Sequence, residues 1–361
     1  MPHYSPVFRF EIPADAIVGV HAVSERSSAI SAATAVTVTV PARLHLGFLD
    51  LDGTLGRRFG SIGLAISGFQ TRLSLAPAGE TRVDGPESAR VRAHFDTMRA
   101  YLRTPRAYAI RIDDVVPAHV GLGSGTQLAL ALATALRRAA GVPPDLASDA
   151  ERLGRGARSG AGIGLFQRGG LVVDGGRGRD TLVPPIVSRL AFPEHWAILV
   201  VLDRARQGIH GAAERGAFAA LPPFGANAAA HLCHLVLMNI LPAVAEADLP
   251  RFGAALAEMQ ARLGDHFAPM QGGGRFTSPD VARALAIMAE AGATGIGQSS
   301  WGPTGFAFAP SETEAMHCAA AALADPACRG LDIRVCRALN RGAETLVRAG
   351  LDAHDNDAPQ Q

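Results

Sequence analysis

A glycine-rich turn at residues 117–126 runs directly into an apolar helical segment. Its central part combines three glycines with two hydroxyl residues: Gly121, Leu122, Gly123, Ser124, Gly125 and Thr126. The first turn of a helix has unpaired backbone N–H groups and the positive end of the helix dipole, and glycines let a phosphate approach the backbone. The Ser124 and Thr126 hydroxyls can reach a phosphate oxygen or a bound Mg²⁺. A serine-capped helix with a flexible entry is the alternative, but the Gly-Leu-Gly-Ser-Gly run favours a phosphate-binding loop.

This loop differs from two well-known phosphate-binding motifs. A Walker loop needs a Gly-Lys-Ser/Thr sequence, and the chain contains no lysine, so all 34 basic residues are arginine. The dinucleotide fingerprint needs a third glycine where Thr126 stands. The absence of lysine excludes Schiff-base chemistry and leaves guanidinium groups, which often bind phosphate with two hydrogen bonds, as the cationic ligands.

Arg43 and His45 place a cation and an imidazole on one face of a predicted strand, because residues two apart share a face. They interrupt an apolar pattern, so we interpret both as candidate catalytic residues. Asp50 follows as a candidate carboxylate. The Asp52-Gly53 pair is typical of a plain turn, whereas Arg57 and Arg58, further along the segment, are candidate phosphate ligands.

Two more glycine-rich regions contain candidate site residues. Arg158 and Ser159 precede a cluster of glycines, and Asp174 ends an apolar strand before two further glycines. That position suits either a metal-binding carboxylate or an ordinary Asp-Gly hairpin turn, and the pattern does not separate the two. The third region, residues 295–305, is predicted to be a loop, and its polar and aromatic residues are best explained by binding: Gln298, Ser299, Ser300 and Trp301.

The elements that position these residues form a strand-rich first half and a mixed second half. Strict alternation predicts a strand at 36–40, and further strands are expected at 63–66, 71–75 and 107–112. Helices are predicted at 87–103 and from the glycine loop to about 140. The second half has predicted strands at 196–202, 305–308 and 332–337, and predicted helices at 226–247, 248–264, 279–292 and 311–324. The alternation after residue 279 is typical of a split βαβ, ferredoxin-like unit.

We therefore divide the chain into a mobile extension at 1–34, a phosphate-binding domain at 35–194, a second domain at 195–351 and a frayed tail at 352–361. The net charge of +1 gives no electrostatic reason to expect nucleic acid or an anionic membrane as partner. The four cysteines form no Cys-x-x-Cys pair, which favours a reducing cytoplasm. The apolar stretches are expected to be too short to span a bilayer, and no signal peptide is evident.

Three segments together resemble the GHMP superfamily of small-metabolite kinases: the Pro-x-x-x-Gly-Leu-Gly-Ser loop, the strand at 41–47 and the late glycine-rich loop. The resemblance implies an α+β, two-domain fold, with a left-handed βαβ unit in the N-terminal domain and a ferredoxin-like C-terminal domain. Residues 121–124 match the superfamily's nucleotide-phosphate loop, but Gly125 and Thr126 depart from it. Kinases of this superfamily also carry an aspartate after a mid-chain Ser-Gly pair, and here Ala161 follows Ser159-Gly160.

Within the superfamily, the segments around Arg43, Arg158, Asp174 and Gln298 resemble a non-kinase branch, the β-ribofuranosylaminobenzene 5′-phosphate synthases. The resemblance implies transfer of the ribosyl group of phosphoribosyl pyrophosphate to 4-aminobenzoate, or to 4-hydroxybenzoate, with loss of CO₂ and pyrophosphate in tetrahydromethanopterin biosynthesis. An ATP-dependent kinase of the same fold is the nearest alternative, and a binding protein without activity is a more distant one.

The implied chemistry assigns a role to each candidate residue. The loop and arginines 43, 57, 58 and 158 would bind the two anionic ends of the donor, and Asp50 or Asp174 would stabilise positive charge at the anomeric carbon. Mg²⁺ is expected, with Asp50, Asp174 or Ser124 as candidate ligands, and no redox cofactor is needed. His45 would transfer a proton or bind a carboxylate, and Trp301 would stack on the benzoate ring. The partners are small molecules, and a homodimer is the default assembly.

Overall fold

The computed structural model describes residues 35–209 and 211–348. The expectations for 1–34 and 352–361 lie outside these ranges. The first part of the chain forms β1 (Ala35–Asp50), β2 (Phe59–Ala78), β3 (Arg82–Asp84), α1 (Ser88–Leu102), β4 (Ala107–Asp114), α2 (Ser124–Ala140), α3 (Leu146–Arg152), α4 (Ala161–Arg168), β5 (Leu171–Asp174) and β6 (Ile186–Leu190).

The second part forms β7 (Ala197–Leu202), α5 (Gly211–Ala220), α6 (Ala226–Leu235), a π-helical turn at Val236–Ile240, α7 (Leu241–Ala245), α8 (Leu249–Phe267), α9 (Pro279–Glu290), β8 (Thr294–Gln298), β9 (Gly305–Ala309), α10 (Glu312–Ala324), β10 (Asp332–Arg337) and β11 (Glu344–Arg348). The loop predicted at 295–305 is therefore shorter than expected. Its first residues pair with β9 as strand β8, so Gln298 ends a strand and the loop begins at Ser299.

The first sheet is built on a long hairpin of β1 and β2. The strand predicted at 36–40 continues as far as Asp50, and the two strands predicted at 63–66 and 71–75 are one strand, β2. A shift of register lies between Pro41 and Ala42, which pair with Gln70 and Ile66. Bulges of this kind bend a strand without ending it, so the intervening glycine and polar residues mark a bend and not a turn.

The remaining strands complete this sheet in the order β11-β1-β2-β4-β3, with β5 pairing to β2 and β6 to β5. β3 and β4 pair in parallel through α1, which forms the expected βαβ unit. Helix α2 packs on β1 and β2, where its leucines and alanines are buried. β11 pairs with β1, so the predicted second domain, 195–351, contains one strand that belongs to the first sheet.

The second sheet has the order β10-β7-β9-β8, and all its neighbours are antiparallel. In chain order this is 4-1-3-2, so the ferredoxin-like prediction is confirmed. One core cluster joins the first sheet to β7, β9 and helices α6 to α8, and another lies between the second sheet and helices α9 and α10. The two domains therefore share a core along β1, the strand that contains Arg43 and His45.

The helix predicted at 226–247 is interrupted by the π-helical turn. Pro242 lies at the start of α7 and has no N–H group to donate, so the hydrogen-bond pattern of the helix changes before it. The stretch from Ala226 to Ala245 is long and apolar enough to cross a membrane by length and composition, with a mean hydropathy of 1.7. The expectation that every apolar stretch is too short was therefore wrong. Leu232, Val236 and Ile240 on this stretch are nevertheless buried in the shared core.

Candidate functional site

The glycine loop ends where α2 begins, at Ser124. Gly123 is the N-cap residue, has a φ of 77° and provides no side-chain hydrogen bond to the helix. Gly121 has a φ of +87°, and a Cβ atom there would lie 2.3 Å from the carbonyl oxygen of Ser299. Glycine is therefore required at position 121 both by its conformation and by the close approach of the late loop. The N–H of Thr126 donates to the carbonyl oxygen of Gly123 at 3.2 Å, and no side-chain cap accepts from the two N–H groups before it, those of Ser124 and Gly125.

Ser299 joins the three segments that the sequence singled out. Its Oγ atom donates a hydrogen bond to the carbonyl oxygen of Gly121 at 2.8 Å and accepts one from the backbone N–H of His45 at 2.9 Å. Gly121 lies 178 positions and His45 lies 254 positions before Ser299 in the sequence. The predicted loop, the predicted strand face and the predicted late loop therefore meet at one point.

The Arg43 side chain lies across the start of α2. A Cβ atom on Gly123 would be 2.5 Å from Cγ of Arg43 and 2.8 Å from its Nε. The Nε and Nη1 atoms of Arg43 are buried and have no hydrogen-bond partner. Burial lowers the pKa of Arg43, and the carboxylates of Asp174 and Glu214 partly offset this. A buried guanidinium with unpaired nitrogens at a helix start is well suited to bind an anion.

Arg158 lies near this group and is held by a residue that the sequence did not reveal. Its Nη2 donates to Oε2 of Glu214 at 2.5 Å, and its guanidinium lies over the Phe218 ring, 5.3 Å from the centroid. Its Nη1 is buried without a partner. Glu214 and Phe218 belong to α5, which no motif singled out, so only the folded chain brings them to the site.

Arg155 is a second residue that the sequence analysis missed. A Cβ atom on Gly125 would lie 3.0 Å from Nη1 of Arg155, so the guanidinium packs on the first turn of α2. Its Nε is buried without a partner. Gly125 is the position at which the loop departs from the superfamily's second serine, and in this chain the missing side chain makes room for Arg155. The glycines that flank Arg155 were the signal available in the sequence.

His45 is buried and electrically neutral. Its side chain is 3% exposed, its ring lies 4.5 Å from that of Phe48, and its Nε2 has no hydrogen-bond partner. Burial lowers the pKa of His45 well below 6.5, and the positive charges of Arg43 and Arg158 lower it further. At neutral pH the ring therefore carries one proton, and it is suited to a hydrogen bond with substrate more than to donation as an imidazolium.

Trp301 forms part of a cluster of packed rings. It is 3% exposed, and its ring lies 5.2 Å from Phe218 and 4.7 Å from Phe267. Its Nε1 is buried without a hydrogen-bond partner. The ring is thus near the arginines through Phe218, but aromatic neighbours contact it on two sides. Stacking of a ligand on Trp301 stays a prediction.

Asp174 has a role that neither sequence interpretation anticipated. Its Oδ2 accepts hydrogen bonds from the hydroxyls of Ser61 at 2.5 Å and Ser159 at 3.1 Å, and from the backbone N–H of Gly160 at 3.1 Å. Its Oδ1 accepts from the N–H of Gly176 at 2.9 Å. Burial raises the pKa of Asp174, and these hydrogen bonds oppose the rise. The carboxylate stabilises the start of α4, so its oxygens are already occupied.

The structure does not bring Asp50 to the phosphate loop. Its Oδ1 accepts hydrogen bonds from the backbone N–H groups of Asp52 and Gly53, both at 2.8 Å, which makes it the first residue of an Asx turn. Seven residues of strand separate Asp50 from Arg43, which corresponds to about 20 Å along β1. Asp50 therefore stabilises a turn in this structure, and its expected role at the anomeric carbon or as a metal ligand stays a prediction.

Arg57 and Arg58 likewise form hydrogen bonds to the backbone of turns. Arg57 donates from Nε to the carbonyl oxygen of Gly175 at 2.7 Å and from Nη2 to that of Gly176 at 2.6 Å. Arg58 donates from Nε to the carbonyl oxygen of Leu51 at 2.9 Å. Both side chains are exposed and donate to backbone carbonyls, those after β5 for Arg57 and one between β1 and β2 for Arg58, and their expected role in binding the second anionic group of the donor stays a prediction.

Gln298 and Ser300 line a cleft that adjoins His45. Gln298 is held by three neighbours, since its N–H donates to Gln260, its Oε1 accepts from the N–H of Thr277, and its Nε2 donates to Gln271. The cleft is narrow, with a volume of about 20 Å³. Its lining is mixed: His45, Gly47, Phe48, Gln260, Leu263, Gly264, Phe267, Gln271, Arg275, Gln298 and Ser300.

The described part of the chain contains no cluster of three or more His, Cys, Asp or Glu side chains that would hold a metal ion by itself. Of the predicted ligands, Asp174 is occupied by hydrogen bonds and Asp50 lies elsewhere, whereas Ser124 is at the start of α2. Glu214 is the carboxylate near Arg43 that is not occupied by backbone N–H groups. A divalent ion at this site would therefore need ligands from the substrate.

Comparison with known proteins agrees with this fold. Profiles of the GHMP kinases N terminal domain and the GHMP kinases C terminal domain match residues 90–166 and 240–324. The β-ribofuranosylphenol 5′-phosphate synthase of Archaeoglobus fulgidus is 33% identical over 322 residues, which cover 85% of this chain and 98% of that protein. The protein of the same name from Methanothermobacter thermautotrophicus is 30% identical over 288 residues, which cover 74% and 86%.

Solved structures share the fold at low sequence identity. A putative sugar kinase from Campylobacter jejuni superimposes with a TM-score of 0.65 at 14% identity, covering 89% of this chain and 100% of that one. Mevalonate diphosphate decarboxylase from Staphylococcus aureus does so with a TM-score of 0.61 at 16% identity, covering 87% and 98%. These similarities establish the two-domain architecture alone.

Proposed function

Because the chain belongs to the β-ribofuranosylphenol 5′-phosphate synthase family, a non-kinase branch of the GHMP superfamily, we propose that it transfers a ribosyl phosphate group to a 4-substituted benzoate. The donor is phosphoribosyl pyrophosphate, and the acceptor is 4-aminobenzoate or 4-hydroxybenzoate. The relatives' names contain the phenol product, which supports testing both acceptors. The reaction belongs to tetrahydromethanopterin biosynthesis, and the enzyme acts in the cytoplasm as a homodimer.

One observation carries this proposal: Arg43 and Arg155 pack on the start of α2 with buried, unpaired guanidinium nitrogens. A buried charge without a partner typically costs about 3–5 kcal/mol, so these groups are well suited to bind an anion. Arg158, which pairs with Glu214, adds a third cation close to Arg43 and suits a ligand with more than one phosphate. The donor carries a pyrophosphate and a separate 5-phosphate.

The reaction needs stabilised charge and no redox cofactor. The bond between the anomeric carbon and pyrophosphate breaks, and the ring carbon that bears the carboxylate bonds to the anomeric carbon. The C–C bond to the carboxylate then breaks, its electron pair restores the aromatic ring, and CO₂ leaves. The protein's tasks are to stabilise the negative charge on the departing pyrophosphate and to hold the benzoate ring on the other side of the ribose.

The named side chains can perform these tasks. Arg43 and Arg158 bind the departing pyrophosphate, and the N–H groups of the α2 start add partial positive charge. Neutral His45 forms a hydrogen bond with the acceptor, which binds on the side of His45 that faces Gln298. Mg²⁺, which proteins often bind through one or two carboxylates and substrate phosphates, fits Glu214 and Ser124 as protein ligands and would neutralise pyrophosphate charge when bound.

A kinase reaction has less support from the same site. The first turn of α4, where the superfamily's kinases carry their aspartate, contains no acidic residue. The carboxylate nearest to it, Asp174, is fully buried and accepts hydrogen bonds from two serines and from the backbone. It is therefore not free to accept a proton from an alcohol substrate.

The test is release of labelled CO₂. Purified protein is incubated with Mg²⁺, phosphoribosyl pyrophosphate and carboxyl-labelled 4-aminobenzoate or 4-hydroxybenzoate in parallel. We expect CO₂ release with one acceptor at least, and loss of most activity in Arg43→Ala but not in Asp52→Ala, which alters only the exposed turn. No release with either acceptor, together with transfer of the γ-phosphate of ATP to a small alcohol, would establish the kinase alternative instead.

A further inference from the structure

Arg155 packs on the start of α2, and Glu214 is not among the charges that act on it. Its Nη1 packs against Gly125, whereas Arg43 packs against Gly123, so the two guanidinium groups flank the same helical turn. The Nε of Arg155 is buried and unpaired. His94, on α1, is near enough for the positive charge of Arg155 to act on it, and its Nε2 is also buried and unpaired.

The surroundings of Arg155 are cationic. Burial lowers the pKa of Arg155, and the only further contribution comes from the positive charge of Arg90. Burial also lowers the pKa of His94 to about 4, with Arg155 and Arg90 adding to the effect. Arg90 has its own partner, Glu87, at 3.3 Å. Among the described residues no carboxylate forms an ion pair with Arg155, so this half-buried cation lacks the partner that buried charges need.

The Arg43 side of the same turn is different, because it contains carboxylates. Glu214 bonds to Arg158, and both Glu214 and Asp174 act on the charge of Arg43. A pyrophosphate that binds with a divalent ion favours a position where arginines and a carboxylate occur together. A phosphate monoester needs cations and N–H donors only. The two sides of the α2 start therefore match the two different anionic groups of the donor.

We propose that Arg155, with Arg90 and His94, forms a separate subsite for the 5-phosphate of the ribosyl donor, while Arg43 and Arg158 bind its pyrophosphate. This inference rests on the proposed function for the identity of the donor. Gly125 is part of the subsite, since a side chain there would displace the Arg155 guanidinium. Neutral His94 donates or accepts one hydrogen bond and does not add a third full charge to those of Arg155 and Arg90.

The two halves of the donor can be tested separately by calorimetric titration of the full-length protein with ribose 5-phosphate and with inorganic pyrophosphate. Arg155→Gln is expected to weaken ribose 5-phosphate binding by about 10-fold to 100-fold, the equivalent of losing a hydrogen bond to a charged group, and to leave pyrophosphate binding within about twofold. Arg158→Gln is expected to have the reverse effect. Gly125→Ser should weaken ribose 5-phosphate binding in the same direction but by a smaller factor, because its Cβ atom would lie 3.0 Å from Nη1 of Arg155 and shift the guanidinium slightly.

Arg138→Gln is the matched control, because Arg138 is exposed and lies at the far end of the same helix, about 20 Å away. It should change neither affinity, and thermal unfolding of each variant shows that it is folded. Equal losses for both ligands in Arg155→Gln, or binding of pyrophosphate but not ribose 5-phosphate by the unaltered protein, would overturn the subsite. A protein that binds neither ligand and releases no CO₂ would refute the proposed function itself.

Discussion

Two buried arginines on or beside α2 allow the proposed ligand role to be separated from a structural one. Arg43 has unpaired Nε and Nη1 atoms, whereas Arg137 donates from Nε and Nη2 to the Asp149 carboxylate at 2.6 and 2.7 Å. Asp149 is fully buried. The same substitution, Arg→Met, replaces a charged side chain by an uncharged one of similar length at both positions. It breaks an existing ion pair in only one of them.

We expect Arg137→Met to lower the free energy of unfolding and Arg43→Met to lower the affinity for the ligand. Arg137→Met leaves the Asp149 carboxylate buried and unpaired, which should lower the free energy of unfolding by about 3–5 kcal/mol. Arg43→Met breaks no hydrogen bond of Nε or Nη1 and should change that free energy by about 1 kcal/mol or less. Arg43→Met should instead weaken ligand binding. It removes two hydrogen bonds to a phosphate, and at about 1.5–3 kcal/mol each these correspond to a loss of affinity of at least about 100-fold.

The measurements are denaturant unfolding and titration with phosphoribosyl pyrophosphate, both at one pH and one salt concentration. We expect Arg43→Met to keep its stability and lose binding, and Arg137→Met to lose stability while its folded fraction binds normally. If Arg43→Met destabilises the protein by more than about 3 kcal/mol, and its folded fraction still binds the donor, then Arg43 is a structural residue and the interpretation of its unpaired nitrogens is wrong.

Three further predictions concern single residues of the site. Gly121→Ala combines a left-handed φ of +87° with a Cβ atom 2.3 Å from a backbone oxygen, so we expect about 2–4 kcal/mol of destabilisation in urea unfolding and a tenfold or greater loss of CO₂ release; near-normal values for both would contradict the required close approach. Burial lowers the pKa of His45 well below 6.5, so below about pH 6.5 the unfolded state binds a proton that the folded state does not. Stability should therefore fall as pH decreases from about 6.5, less steeply in His45→Gln, and an unchanged slope in that variant but a changed one in the exposed control His317→Gln would refute the assignment. Glu214→Gln removes the negative partner of Arg158, so pyrophosphate affinity without Mg²⁺ should rise several-fold while the Mg²⁺ concentration for half-maximal activity increases; weaker pyrophosphate binding would show that the residue only orients the arginine.

Much of the architecture follows from local patterns in the sequence. The alternation at 36–40 identifies β1, the apolar run after Ser124 identifies α2, and the alternation of elements after residue 279 identifies the ferredoxin-like sheet. The mistakes occurred where a local signal had two possible outcomes. Glycine and polar residues after position 66 mark a bulge inside β2, and glycines after position 295 belong partly to a strand.

The site was predictable only in part. That the glycine loop starts a helix, and that Arg43 and His45 share one strand, are consequences of spacings of a few residues. The roles of Asp50 and Asp174 depend on which N–H groups lie near their carboxylate oxygens in the folded chain. The local sequence, a carboxylate followed by glycine, is the same in a turn, at a helix start and at a metal site. Their sequence neighbourhoods therefore could not separate these outcomes.

The sequence alone shows three features of this protein: an anion-binding loop, the lack of lysine and the missing kinase aspartate. It shows them because they depend on residue types and short spacings. The order of residues does not show which residue pairs with each charged group. Arg158 meets Glu214 across 56 positions, and His45 meets Ser299 across 254, while Arg155 reaches the loop only because Gly125 leaves space for it. The burial of unpaired guanidinium nitrogens is a property of the packed chain, and it makes Arg43 and Arg155 candidate anion-binding residues.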